Sequence, residues 1–202
     1  MKNVLKKSLS LLLAFTIIFS SAYVGLSEVD FSGLFEVKAQ AASSGTCGTN
    51  VRWELDDSGT LTISGTGVME NYISHLSVPW CSSRVSIKSV IIESGVTSIG
   101  ECAFKDCTSL TSITIPDGIT NIGDYSFRDC TSLTSVKIPD SVLSIGNYAF
   151  YNSDNLTSIT IPNNVMSIGE CAFDGCTSLT TINVDSENAY YTSVDGVLFN
   201  KD

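Results

Sequence analysis

A 23-residue period in the second half of the chain restricts the possible folds more than any other feature of the sequence. An Ile-Gly pair recurs four times at this spacing without an insertion, and other apolar residues recur at fixed offsets from it. One copy is too short to bury these side chains by itself, so successive copies must stack and share a core. The recurring positions are Ile99, Ile122, Ile145 and Ile168; Phe104, Phe127, Phe150 and Phe173; Leu110, Leu133, Leu156 and Leu179; and Ile113, Val136, Ile159 and Ile182.

Each copy contains one clear strand. Ile113 and Ile115 are two residues apart and therefore face the same side of a strand, and Pro116 lacks the N–H that would extend a ladder. Residues 119–122 form a second short extended piece, and Gly123 lets the chain turn sharply into a compact helical or 3₁₀ turn. The pattern predicts a repeat solenoid of the leucine-rich-repeat class, with one parallel β-strand per 23-residue coil and an internal spine of phenylalanines.

Residues 1–41 have the pattern of a signal peptide. Three lysines precede an apolar run over residues 9–19, and small residues follow that run. Cleavage after Ala41 is favoured because the globular pattern begins just beyond it, and cleavage after Ala22 is the alternative. An uncleaved membrane anchor is a further alternative, although the run is short for a spanning helix. We therefore expect a secreted or cell-surface protein.

Two segments follow the leader, an N-terminal cap over residues 42–86 and the solenoid over residues 87–202. Residues 51–55 and 60–63 alternate between apolar and polar types around an Asp-Asp-Ser-Gly turn, which predicts a β-hairpin that covers the open end of the first coil. Residues 194–199 look like an extended excursion with no second strand and no C-terminal cap. We expect a truncated chain; a natural short protein that dimerises through the exposed edge is the alternative.

The charge of the chain limits its partners. The formal net charge is −10, and the leader contains several of the few lysines, so the remainder is also acidic. Nucleic acid and anionic membrane surfaces demand clustered Lys and Arg, so neither is an expected partner.

The seven cysteines do not read as a disulfide framework, although exported proteins often contain one. A position that accepts Cys, Ser or Tyr in successive copies does not require a bridge, so we expect buried free thiols. Only Cys47 and Cys81 lie outside the repeat and could pair in the cap. The repeat positions are Cys107, Cys130, Ser153 and Cys176, and Cys102, Tyr125, Tyr148 and Cys171.

No residue pattern predicts a catalytic, metal or cofactor site. His75 is the only histidine, and an exposed loop histidine is the expected interpretation rather than a ligand or general base. The cysteines lack the C-x-x-C spacing of zinc sites, and the paired acids Asp56 and Asp57 fit a turn. We therefore predict no catalytic residue, no metal and no cofactor.

The outward positions of the strands are the candidate partner-binding face. They form two hydroxyl-rich, weakly charged columns on a flat sheet, although Ser and Thr also suit any exposed strand. Carbohydrate or ice binding by ordered hydroxyls is a weaker alternative, because a lysine interrupts the array. The candidate residues are Ser112, Ser135, Ser158 and Thr181 in one column, and Thr114, Lys137, Thr160 and Asn183 in the other.

The repeat unit I-G-x-x-[AS]-F-x-x-[CS]-x-x-L-T-S-[IV]-x-I-P, as in residues 122–139, resembles the BspA-type leucine-rich-repeat family of bacterial cell-surface proteins. The N-terminal segments G-T-C-G, W-E-L-D and G-T-L-T-I-S-G-T-G are similar to the usual flank of that family, and residues 190–199 to a recurrent insert whose second strand is missing. The resemblance covers residues 45–202.

This resemblance implies a secreted or surface protein that binds other proteins, sometimes as an adhesin of host or matrix components, and it supplies no catalytic residues. We therefore expect a non-enzymatic module for protein–protein interaction or adhesion. Two alternatives remain open: the non-catalytic repeat portion of a larger secreted hydrolase or peptidase, and a structural spacer without a specific ligand.

Overall fold

The computed structural model describes residues 43–201, so the predicted signal peptide lies outside the described residues. This part of the chain consists of short β-strands and turns with a single 3₁₀ helix, Cys81–Ser86. The strands are β1 Ser43–Thr46, β2 Val51–Leu55, β3 Thr60–Gly65, β4 Gly67–Val68, β5 Ser89–Ile92, β6 Val96–Ile99, β7 Ser112–Thr114, β8 Asn121–Ile122, β9 Ser144–Ile145, β10 Ser158–Ile161, β11 Ser167–Ile168, β12 Thr181–Val184, β13 Tyr191–Val194 and β14 Val197–Asn200.

The repeat strands pair in parallel with partners 23 residues away, as the sequence predicts. Sheet I has the order β1-β2-β3-β5-β7, in which β5 and β7 pair in parallel with Ser89 opposite Ser112. In the later coils β10 pairs in parallel with β12, so that Thr160 lies opposite Asn183. The intervening coil, residues 134–139, joins β10 through one bridge between Ser135 and Ser158.

The prediction of one strand per coil is wrong, because each coil contributes to a second parallel ladder. Sheet II has the order β11-β9-β8-β6-β4, and its repeat strands are only two to four residues long. Ile99, Ile122, Ile145 and Ile168 lie in register along it. The extended piece recognised at residues 119–122 is therefore a sheet strand, since its 23-residue neighbours satisfy its backbone hydrogen bonds.

The turn after each Ile-Gly pair is not helical, which is a second correction. Two non-glycine residues in the turn have positive φ, as at Tyr125 (57°) and Asp129 (59°), and a left-handed residue ends any right-handed helical path. Alternate amides in the turn instead donate to the next coil. Phe104 N–H donates to Ser126 O over 2.8 Å, and Phe127 N–H donates to Ala149 O over 2.8 Å.

The predicted hairpin of β2 and β3 is present, and β1 adds a third antiparallel strand to it. Its second strand, β3, pairs in parallel with β5, with Thr62 opposite Ile91. The hairpin thus extends sheet I beyond the first repeat coil and hydrogen-bonds its edge.

Residues between the hairpin and β5 reproduce the turn of a coil without its sequence period. Asn71 Oδ1 accepts the N–H of Glu101 over 3.0 Å, and Tyr72 N–H donates to Glu101 O over 3.1 Å. Trp80 Nε1 donates to Ala103 O over 2.9 Å, replacing the backbone amide that a phenylalanine supplies in later coils. We call the series of hydrogen bonds between successive turns the turn ladder. An indole N–H therefore supplies the first donor at the phenylalanine position of this ladder.

The C-terminal excursion contains the strand that the sequence analysis considers missing. β13 and β14 pair antiparallel, with Val194 opposite Val197, around Asp195 (φ 53°) and Gly196 (φ 82°). Asp-Gly supplies the two positive φ values that a tight hairpin turn requires. Ile182 N–H donates to Gly196 O over 2.9 Å, and its carbonyl accepts a hydrogen bond from the Ser193 hydroxyl. The hairpin therefore covers the edge of β12, and the predicted uncapped edge is wrong.

The cysteine columns are free thiols, as predicted, and Cys47 and Cys81 are also unpaired. Cys130 Sγ donates to Phe104 O over 3.2 Å and Cys176 Sγ donates to Phe150 O over 3.0 Å. Ser153 Oγ makes the same bond to Phe127 O over 3.0 Å. Thiol and hydroxyl are therefore interchangeable in this column, because each donates one hydrogen bond to the turn carbonyl.

Cys130→Ser is therefore expected to change the free energy of unfolding by less than about 1 kcal/mol. Cys130→Ala removes one of the two hydrogen bonds that the Phe104 carbonyl accepts, since the Cys107 N–H still donates to it, and this loss costs about 0.5–1.5 kcal/mol. Burial also raises the pKa of Cys47 and Cys107 to about 12 and that of Cys130 well above 9.0. The unfolded thiol ionises first, so stability is constant below about pH 8 and falls as pH rises towards 12, by about 1.5–2 kcal/mol per buried thiol at pH 10.

Urea unfolding under reducing conditions at pH 8 and pH 10 measures both effects, and the fall between the two pH values should be smaller in Cys130→Ser. An equal fall in wild type and variant would contradict the buried neutral thiol. Titration in denaturant should find all seven thiols, and two or fewer would rule out the unpaired column.

Candidate partner-binding face

The candidate face lies where the sequence predicts it, on the outer side of the repeat strands. Seven of its eight residues are exposed, and Thr181 is half-buried. Thr181 is less exposed because the β13–β14 hairpin packs beside it, with Gly196 directly against its backbone. The two outer columns therefore lie side by side, and neighbouring residues within a column are 23 positions apart in the sequence.

The N-terminal hairpin extends this face, which the sequence analysis does not anticipate. Parallel pairing of β3 with β5 places Thr60 beside Ser89 and Thr62 beside Ile91. On β2, Glu54 pairs with Thr62 and continues the column. The hairpin has no 23-residue period, so the repeat pattern does not extend to these positions. The alternation of inward and outward residues along each strand is the only signal that could have identified them.

A cleft of about 340 Å³ opens on the face beside Lys137. Its wall includes Thr160, two apolar side chains from the coil of residues 134–139, and the carboxylates of Asp140 and Asp185. The cleft lies where residues 134–139 pair with β10 through a single bridge, between Ser135 and Ser158, rather than through a continuous ladder. The only cation among the eight candidate residues thus borders a recess with acidic neighbours.

His75 is not the free, exposed loop residue that the sequence predicts. Its Nδ1 lies 2.7 Å from Asp106 Oδ2, and its side chain is 26% exposed. The contact ties the loop before Trp80 to the first repeat turn, because Asp106 belongs to that turn.

Within residues 43–201, no group of three or more His, Cys, Asp or Glu side chains converges on a point where a metal ion could bind. No helix in this same part of the chain has the length and apolar character needed to cross a bilayer.

Comparison with protein families gives one match, to the region described as "BspA type Leucine rich repeat region". Six copies of this repeat match residues 80–196, which is more than half of the chain. The match begins at Trp80, so it includes the indole that donates to the first repeat turn. Among curated proteins, none matches the sequence.

Two solved structures show the same fold. A leucine-rich repeat protein from Eubacterium ventriosum is 32% identical with a TM-score of 0.62, and the match covers 79% of this chain and 49% of that one. The leucine-rich repeat protein TpLRR from T. pallidum is 27% identical with a TM-score of 0.51, covering 69% of this chain and 67% of that one. The chain thus spans about half the length of the Eubacterium protein.

Proposed function

The chain belongs to the BspA-type leucine-rich-repeat family, and from this membership we propose that it is a non-enzymatic protein-binding module at the cell exterior. Its coils form a solenoid whose N-terminal hairpin is a cap, and residues 1–41 direct export. The partner is another protein, with host or matrix proteins as the first candidates, and its binding adheres the cell to that partner.

One observation supports this function most strongly. Residues that are far apart in the sequence lie on the outer side of the repeat strands: β7 continues through β5 onto the hairpin in sheet I, and β10 and β12 carry the same columns in a second, two-stranded sheet. The side chains of this face are mainly uncharged hydroxyls, which can hydrogen-bond to a partner without the desolvation cost of burying charge. Aromatic side chains are absent from the eight positions, so the binding energy of this face is expected to come from many weak contacts rather than from an aromatic hot spot.

Lys137 and the adjacent cleft give this face a recess among the repeat coils. A side chain of the partner that enters the cleft would contact apolar walls and place a polar group near Lys137 or the two carboxylates. Because buried pockets contribute more binding energy than flat rims, we expect substitutions at the cleft to have the largest effects.

The test uses the whole exported protein and a panel of purified extracellular-matrix proteins in surface-plasmon-resonance measurements. We expect at least one specific complex, and the triple variant Thr114→Ala, Lys137→Ala, Thr160→Ala should weaken it by about tenfold or more. The matched control removes the same residue types elsewhere: Lys88→Ala, Thr108→Ala and Thr177→Ala, all exposed and outside the candidate face. Unchanged binding by the face variant would contradict the assignment of this face, and no binding to any matrix protein would contradict the proposed partner class.

A further inference from the structure

Five side chains from three successive coils meet on the turn side of the molecule, away from the candidate face; we name them the turn patch: Lys105, Tyr125, Arg128, Tyr148 and Tyr151. The Tyr125 and Tyr148 rings stack with centroids 5.2 Å apart at 2°, and Tyr151 meets Tyr148 edge-on at 5.5 Å. The Arg128 guanidinium lies 4.9 Å from the Tyr151 centroid and 5.8 Å from that of Tyr125. Lys105 Nζ lies 5.9 Å from the Tyr125 centroid.

The fold itself does not require these residues. The repeat position of Tyr125 and Tyr148 is occupied by cysteine in the coil before them and in the coil after them. The repeat position of Arg128 and Tyr151 is occupied by Asp174 in the last coil. Both stacked tyrosines also have positive φ, 57° and 54°, a conformation that is unfavourable for a bulky side chain. Large rings therefore occupy strained backbone positions where a smaller residue serves the repeat equally well.

The patch has the composition and order of a binding centre. Tyrosine and arginine are the residues most enriched where interfaces gain their binding energy. All five side chains of the patch are half-buried, so their conformations are restricted before any partner arrives. Ordering an arginine in advance reduces the entropy lost on binding. The chemistry available at its surface is phenol edges and hydroxyls, because the ring faces already contact one another or a cation.

The geometry of Arg128 identifies the chemistry of the partner. Its Nε donates to Asp129 Oδ2 over 3.0 Å, which fixes the plane of the guanidinium. No hydrogen bond within residues 43–201 uses its terminal amino groups, which are the groups that bind a carboxylate in bidentate fashion. Lys105 occupies the same repeat position one coil earlier and adds a second cation on that side.

We propose that the turn patch is a second protein-binding surface, separate from the strand face, and that its partner presents an aspartate or glutamate carboxylate to Arg128 beside an apolar group that packs on the tyrosine edges. Asp129 already pairs with the Arg128 Nε, so a partner carboxylate binds at the terminal amino groups of that side chain. The phenol edges supply the apolar and hydrogen-bonding contacts around that pair.

The test is selection of a random twelve-residue peptide library, displayed on phage, against the whole protein. We expect the selected peptides to combine Asp or Glu with an apolar or aromatic residue, and synthetic copies to bind at least tenfold more weakly to Arg128→Gln. Arg128→Lys keeps the positive charge and the contact with the rings but cannot bind a carboxylate in bidentate fashion. It should therefore weaken binding by a smaller factor than Arg128→Gln does. Lys88→Gln, an exposed lysine outside both surfaces, should bind like wild type.

Two results would overturn the proposal: a selection that yields no binding peptide, and peptides whose affinity for Arg128→Gln stays within twofold of wild type. Thermal unfolding of each variant establishes that it folds. Loss of matrix-protein binding in the Thr114, Lys137 and Thr160 variant tests the strand face alone, so the two surfaces can fail independently.

Discussion

Replacing Phe127 by alanine is expected to lower the free energy of unfolding by about 3–5 kcal/mol, the range of core phenylalanine truncations. Phe127 is fully buried, and its ring stacks between those of Phe104 and Phe150 at centroid distances of 5.4 Å and 5.1 Å. The rigid backbone on both sides is held by the turn ladder, so the space cannot close by a small shift. Removing the ring therefore leaves a cavity in the middle of the stack, between the rings of Phe104 and Phe150.

Phe173→Ala is the matched control. Phe173 ends the spine, stacks on one neighbour only at 5.7 Å and is partly exposed. The same substitution there should cost clearly less, because less surface leaves contact and water can occupy the space. Urea unfolding of both variants measures the difference. Equal costs at the two positions, or an unchanged melting temperature for Phe127→Ala, would contradict the buried spine.

Trp80→Ala is expected to destabilise the protein by a similar amount, about 3–5 kcal/mol, because Trp80 begins both the spine and the turn ladder. Its ring stacks on Phe104 at 5.9 Å and it is 1% exposed. Trp80→Phe keeps an aromatic ring in the stack but removes the donor to Ala103 O. That carbonyl is then buried without a partner, which costs about 1–3 kcal/mol.

Trp53→Phe separates the hydrogen bond from the loss of indole volume. Trp53 is also buried, meets Trp80 edge-on at 5.8 Å, and its Nε1 has no hydrogen-bond partner in the part of the chain that the structure describes. Its replacement by phenylalanine removes indole volume alone and should cost less than Trp80→Phe. Chemical denaturation of the three variants tests this order. A larger cost at Trp53 would show that the Trp80 hydrogen bond contributes little.

The sequence predicts the stacked coils well because every core column repeats at one spacing. Phe127 and Phe150 occupy equivalent positions in the sequence and stack in the structure. Strand parity predicts the outer columns for the same reason: Ile159 must face inward for the core to close, so Ser158 and Thr160 must face outward. Both inferences follow from a fixed period and a buried face.

The errors arise where backbone conformation or a non-periodic contact decides the structure. Tyrosine rarely adopts positive φ, so the left-handed conformation of Tyr125 does not follow from its residue type, and the compact segment that contains it reads as a helical turn. Trp80 lies one position away from the 23-residue register, and its role depends on an indole hydrogen bond that no periodic pattern reveals. Asp-Gly is typical of tight hairpin turns, and at residues 195–196 its two positive φ values join β13 to β14.

The candidate site was predictable in part. All eight residues follow from parity, and their exposure agrees with that inference except for partial burial of Thr181. The cleft beside Lys137 did not follow, because the sequence of residues 134–139 matches the other copies while its pairing does not. The turn patch was also missed, since its rings meet across coils only after the left-handed turns bring them to one side.

The most direct test of in-register parallel stacking is a solution NMR measurement of nuclear Overhauser effects between residues 23 positions apart. Stacking predicts ring-to-ring contacts between Phe127 and Phe150, and backbone contacts between Thr160 and Asn183, as in a parallel ladder. Backbone contacts that follow an antiparallel pattern between β10 and β12, or phenylalanine rings that contact only solvent, would contradict it.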